Sequence, residues 1–211
     1  MRLQLQTDDR RTPSWGFSLV ETLVVIGVVG VLLGLLMPAL RSIRADSHST
    51  TCMTNLREIH AAVEIMRQQN NDLLPYAAPL PLPAEQVGDV PGLPERLERI
   101  VPRDSSTWMC PADDTQDSED LGTSYVYLPG AFMLVLPPPI PDPPWTQKAL
   151  IDRAMRVITQ RYINGYLQSV PLVCDSGDYH AYGRHPRNVI FLGGEARVGR
   201  PEDENIAPPQ R

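Results

Sequence analysis

The sequence predicts an α+β fold: a long N-terminal helix, membrane-spanning over its first half, whose second half packs on a small antiparallel β-sheet head. Three observations predict it. An unbroken apolar run fills residues 17–37, a helical apolar stripe continues to about residue 69, and the C-terminal part holds short β-type runs punctuated by glycine. At 211 residues the chain has room for one globular domain beyond such an N-terminal extension.

Residues 1–16 are polar and carry Arg2, Arg10 and Arg11. The run that follows, FSLVETLVVIGVVGVLLGLLM, has a single ionisable side chain, Glu21. At about 1.5 Å rise per residue, this stretch reaches roughly 30 Å as a helix, the thickness of a bilayer's hydrocarbon core. The arginines before it and the acidic, larger part after it orient the N-terminus to the cytoplasm. Everything beyond about Arg41 is then extracytoplasmic. A secretory signal would end sooner, at a small-x-small site, and Met37-Pro38-Ala39 offers a poor one.

A carboxylate inside a spanning helix costs a few kcal/mol unless it finds a partner, so Glu21 is a functional candidate. The competing reading is a side chain that snorkels to water in a plain anchor. Gly27, Gly30 and Gly34 allow close helix approach, and Gly30 with Gly34 forms a GxxxG pair. Pro38 lacks an N–H and crowds the carbonyl four residues back, which predicts a bend or loosening near Gly34.

Residues 39–72 read as an amphipathic continuation: Leu40, Ile43, Leu56, Ile59, Val63 and Met66 recur mostly at helical spacing between charged residues. The helix should stop at residues 70–72, ahead of Pro75. Residues 73–211 read as proline-rich loops plus the α+β head. PLPLP at residues 79–83 and PPPIPDPP at 137–144 favour extended backbone. A short helix around 94–101 and a strand around 124–128 interrupt that region. A second helix over 146–166, with a Thr to cap it, precedes a buried strand at 170–174. The end, 188–198, reads as a hairpin joined by Gly193-Gly194, suited to a tight primed turn.

The net charge of -6 argues against a polyanion, so no nucleic-acid partner is expected. Cys52, Cys110 and Cys174 form no close-spaced metal pair; in an exported domain two of them can join, and three pairings are open. Asp175, Ser176, Asp178, His180 and His185 cluster within eleven residues. A polar loop between strands accounts for them, and the spacing is not that of an EF-hand. The chain offers no nucleophile paired with a base, no phosphate-binding glycine loop and no zinc-type spacing, so a non-enzymatic role is expected.

Gly16 followed by Phe17, Ser18, Leu19, Val20 and Glu21, then an apolar run to Pro38, resembles the prepilin processing signature of type IV pilins and pseudopilins. The resemblance implies that residues 1–16 are a leader cut after Gly16 by a prepilin peptidase, and that Phe17 becomes an N-methylated terminus. It makes Glu21 the assembly carboxylate, facing the new amino group of a neighbouring subunit, and Pro38 the helix kink. Residues 52–75 and Cys110-Pro111-Ala112-Asp113 resemble pseudopilins of the planctomycete type, which implies a Cys52–Cys110 disulfide; a Cys110–Cys174 bond with Cys52 free is the alternative. His185 with residues 188–191 resembles that family's H-to-DG box, although Gly193-Gly194-Glu195 lacks its Asp and second His.

Some major pseudopilins hold Ca²⁺ in oxygen-rich loops, which makes Asp175, Asp178 and His180 candidate ligands. The resemblance further implies a peptidase/methyltransferase, other pilin-like subunits, a membrane assembly platform and a cytoplasmic ATPase as partners. The expected function is a subunit of a periplasmic filament for type II protein secretion. The alternatives are a type IV pilus subunit or a single-pass anchor bearing a metal-binding head.

Overall fold

The computed structural model describes residues 18–81, 90–135, 147–180 and 187–200. Gly16, Phe17, His185, the 137–144 run and the expected Thr cap at 146 lie outside them. The chain divides into two compact units, Met1–Ser42 and Ile43–Arg211. Helix α1 comprises Leu19–Gln69.

In the first unit the large apolar side chains of α1 are exposed throughout, from Leu19 at 82% to Met37 at 60%. Among the described residues α1 is long and apolar enough to cross a membrane, and its apolar window has no buried residue.

In the second unit one face of α1 enters the core. Cys52, Leu56, Ile59, Ala62 and Val63 are buried at spacings that keep them on a single side of the helix. Leu40 and Ile43, expected on the same stripe, are both exposed. Burial begins further along the helix, where Ser49 Oγ donates to Asn188 Oδ1 of the sheet at 3.1 Å. The helix stops where expected: Asn71 and Asp72 take positive φ of 52° and 59°. The Asp72 N–H then returns to the Arg67 carbonyl at 2.9 Å, a left-handed cap of the kind Asn and Asp tolerate.

Among the described residues the further elements are α2 (Leu93–Leu97), α3 (Gln116–Leu121), β1 (Tyr125–Tyr127), α4 (Leu128–Val135), α5 (Gln147–Asn164), β2 (Val173–Asp175), β3 (Asn188–Ile190) and β4 (Ala196–Val198). Two 3₁₀ turns, Ser106–Trp108 and Tyr166–Ser169, join them. The four strands form an antiparallel sheet in the order β1-β2-β3-β4. Leu56, Ile59 and Val63 pack with Trp108, Tyr125, Tyr127, Met155, Ile158, Tyr162, Val173 and Ile190 into one core.

Three buried aromatic side chains settle their polar atoms on proline carbonyls. Tyr127 Oη donates to Pro75 O at 3.0 Å, Trp108 Nε1 to Pro102 O at 3.0 Å, and Tyr162 Oη to Pro171 O at 3.2 Å. Such partners remove the cost of burying a hydroxyl or indole N–H. Gly130 in α4 lies against the 77–79 backbone, where an added Cβ would come within 2.5 Å of the Ala77 carbonyl.

Three sequence expectations need correction. The strand expected at 170–174 is shifted to Val173–Asp175, because a 3₁₀ turn takes Tyr166–Ser169 and Pro171 has no N–H for a ladder. Asp175 therefore lies in a strand and not in the polar loop. The hairpin loop has three residues, not two: the Phe191 N–H donates to the Glu195 carbonyl at 3.0 Å and the Gly194 N–H to the Phe191 carbonyl at 2.9 Å. Gly194 takes the positive φ, 83°, without Gly193, as a type I turn followed by one left-handed residue requires.

Candidate functional site

Two regions carry the chemistry. The first is residues 19–37 of α1. Glu21 lies in its first turn, exposed, where a carboxylate is favoured by the unpaired N–H groups of a helix start. Fourteen large apolar side chains between Leu19 and Met37 are exposed. Removing each from water is worth about 1.5–3 kcal/mol, so covering the set is worth roughly 20 kcal/mol or more. That exceeds the whole stability of an ordinary domain, about 5–15 kcal/mol. A Cβ added at Gly27, Gly30 or Gly34 would meet nothing within 4 Å, so no packing among the described residues demands glycine there.

The second region lies beneath the sheet. Cys52 of α1 is disulfide-bonded to Cys110, with Cα atoms 5.3 Å apart, and Cys174 stands outside the bond. This is the pairing that the family resemblance implied. Around Cys110 the chain makes a turn: the Asp113 N–H donates to the Cys110 carbonyl at 2.9 Å, and Asp113 Oδ1 accepts from Thr115 N at 3.0 Å and Thr115 Oγ1 at 2.7 Å. The Cys110 N–H donates to Ser124 Oγ at 3.0 Å, just before β1.

His180 faces the disulfide, with Nε2 3.5 Å from Cys110 Sγ and 3.3 Å from Asp175 Oδ2. Asp175 is wholly buried because the pleat puts it on the same face as Val173, in register with Tyr125 of β1. Asn188 N–H donates to Asp175 Oδ2 at 2.6 Å. Burial pushes the Asp175 carboxyl above its ordinary range, while His180 and the Asn188 N–H pull the other way. Asp175 Oδ1, His180 Nδ1 and Asn188 Nδ2 are buried without a hydrogen-bond partner among the described residues.

Of the calcium candidates, the structure brings Asp175 and His180 together and sends Asp178 to Arg187, whose Nε donates to Asp178 Oδ1 at 2.7 Å. The resulting donor set is sulfur, imidazole and one carboxylate, which is poor in the oxygens Ca²⁺ takes. Sequence reasoning did not foresee the meeting of His180 with the disulfide, nor Asn55, whose Nδ2 donates to Met109 O at 3.0 Å and Tyr125 Oη at 3.2 Å. Asn55 had a legible signal: it is a polar residue on the helical face defined by Cys52, Leu56 and Ile59.

Comparison of the chain with family models, with curated proteins and with solved structures returned no match.

Proposed function

We propose that the chain is a pilin-like filament subunit of the pseudopilin kind, inserted in the cytoplasmic membrane as a precursor with its head in the periplasm. Cleavage after Gly16 by a prepilin peptidase frees the Phe17 amino group, which is then methylated. An assembly platform driven by a cytoplasmic ATPase adds the subunit to a periplasmic filament. The resemblance of residues 52–75 and 110–113 to secretion pseudopilins favours type II protein secretion over a pilus.

The observation that carries this reading is the bare apolar surface of residues 19–37 with its one carboxylate. A bilayer covers such a surface in the precursor, and helices of neighbouring subunits cover it in a filament. A plain anchor accounts for the apolar surface. It gives no role to Glu21, whose placement next to a newly made amino terminus supplies the cation that a desolvated carboxylate needs. The open space at Gly27, Gly30 and Gly34 suits helix contacts made between chains.

Mass spectrometry of the mature protein extracted from membranes tests the reading. The expected species begins at N-methylated Phe17. A chain that retains residues 1–16, or one that begins beyond Pro38, overturns it.

A further inference from the structure

The disulfide and its polar neighbours have the makings of a second state. The sulfurs of Cys52 and Cys110 and a ring nitrogen of His180 lie within 4.8 Å of one another, all buried. We propose that, when the Cys52–Cys110 bond is reduced, Cys52, Cys110, His180 and Asp175 form a tetrahedral Zn²⁺ site that ties α1 to the sheet in the disulfide's place.

The geometry argues for it. In a tetrahedral zinc site, bonds of about 2.3 Å to sulfur and 2.0–2.1 Å to nitrogen and oxygen put a sulfur about 3.5 Å from a nitrogen, and a nitrogen about 3.4 Å from an oxygen. Here Cys110 Sγ is 3.5 Å from His180 Nε2, and His180 Nε2 is 3.3 Å from Asp175 Oδ2. Two ligand-to-ligand edges of the tetrahedron are already in place. The remaining adjustments are separation of the two sulfurs to about 3.8 Å and approach of the Asp175 carboxylate to them, since the cluster within 4.8 Å holds the two sulfurs and the imidazole alone; side-chain rotations about the Cα–Cβ bonds act on both.

Charge and donor type argue in the same direction. Asp175 is a wholly buried carboxylate whose Oδ1 is unpartnered among the described residues, a free acceptor that a divalent ion beside it would favour. Two thiolates, an imidazole and a carboxylate suit Zn²⁺ and not Ca²⁺ or Mg²⁺. The Asn188 N–H, 2.6 Å from Asp175 Oδ2, fixes the carboxylate from outside the ligand shell. The ligands come from α1, the turn at Cys110, β2 and the segment after it, so one ion would join the same pieces that the disulfide joins.

The exchange balances. A dithiol reductant passes two electrons and two protons to the Cys52–Cys110 bond and becomes a disulfide itself. Zn²⁺ then displaces the two thiol protons, which leave to solvent.

The test uses the full chain in detergent micelles, carrying Cys174→Ser to remove the third thiol, reduced and desalted without oxygen. Co²⁺ is the probe. One equivalent should produce the visible bands of tetrahedral cobalt and a thiolate charge-transfer band, both removed by added Zn²⁺, while the oxidised protein produces neither. His180→Ala and Asp175→Ala should each weaken Zn²⁺ affinity by at least about tenfold. Three outcomes overturn the proposal: a reduced chain that yields no such bands, bands and affinity unchanged in His180→Ala, or a reduced chain that stays unfolded by circular dichroism with one equivalent of Zn²⁺.

Discussion

Asn55 of α1 donates through Nδ2 to the Met109 carbonyl at 3.0 Å, joining the helix to the residue next to the disulfide's far end. The same amide reaches Tyr125 Oη of β1 at 3.2 Å, so one side chain links three pieces of the head. Removing it strands the half-buried Met109 carbonyl and takes a partner from the buried Tyr125 hydroxyl. Asn55→Ala should therefore destabilise the head by about 1–3 kcal/mol. Urea unfolding checks this: the midpoint should fall with the slope unchanged.

The covalent link beside it constrains the unfolded chain more strongly. The bond spans a sequence separation of 58. A loop of that size corresponds to about 4 kcal/mol of lost chain entropy in the unfolded state. The double variant Cys52→Ala/Cys110→Ala should lose about that much stability, measured in the absence of added metal. A loss well under 1 kcal/mol would mean that the unfolded head keeps these segments together without the bond.

At the hairpin the two glycines should behave differently. Gly194 has φ 83°, and an added Cβ would stand 3.4 Å from His60 Cε1. His60 is itself held by a 2.8 Å hydrogen bond between its Nε2 and the Leu192 carbonyl, so the ring is not free to retreat. Gly194→Ala should cost roughly 1–2 kcal/mol for the left-handed backbone alone. Gly193→Ala meets open space and should stay within about 0.5 kcal/mol of the parent. Equal losses at the two positions would contradict the three-residue loop.

These details mark where local sequence signals succeed and where they stop. The long helix was legible because apolar spacing and the Asn70-Asn71-Asp72 stop are local, and the 188–198 hairpin because its glycines are. Leu40 and Ile43 carry the same stripe as Leu56 but are exposed, since periodicity gives a face and not the extent of what covers it. Asp175 read as a loop residue by composition. Its strand position follows from the alternation Val173, Cys174, Asp175, whose ends share the buried face. Helices α3 and α4 went unread: α3 has six residues, and in α4 Pro129 and Gly130 argue against a helix. The meeting of His180 with Cys110, seventy residues away, depends on strand register and has no local signature.

Asp113 supplies a pH signature. Burial by itself raises its pKa, but the Thr115 N–H and hydroxyl that donate to Oδ1, with the Ser118 and Ser124 hydroxyls nearby, outweigh that and hold the folded-state value below the ordinary carboxylate range. A depressed folded pKa means stability that is present above the unfolded value, about 3.9, and lost as pH falls through the folded value. The stability gap between the parent and Asp113→Asn should therefore be flat near neutrality and shrink below about pH 4. Denaturant midpoints of both proteins across that window give the comparison; a gap that widens on acidification would reverse the assignment.

Glu21 separates the filament reading from the plain anchor. It is exposed in the first turn of α1, and the described residues give it no role in folding the Ile43–Arg211 unit. Glu21→Ala should leave membrane insertion and head melting at parental values, because Ala lowers no apolar contact and favours a helix. What it removes is the carboxylate that would meet the amino terminus of an adjacent subunit. Loss of one member of such a desolvated pair leaves the other charge uncompensated, a penalty of about 3–5 kcal/mol at each subunit contact. A free-energy loss of that size lowers the contact's equilibrium constant by more than a hundredfold, so sheared filaments should contain none of the variant while the membrane fraction retains it. Glu21→Gln, which keeps the shape and loses the charge, should fail in the same way. If either variant enters filaments at the parental level, the carboxylate is not what sets the register between subunits.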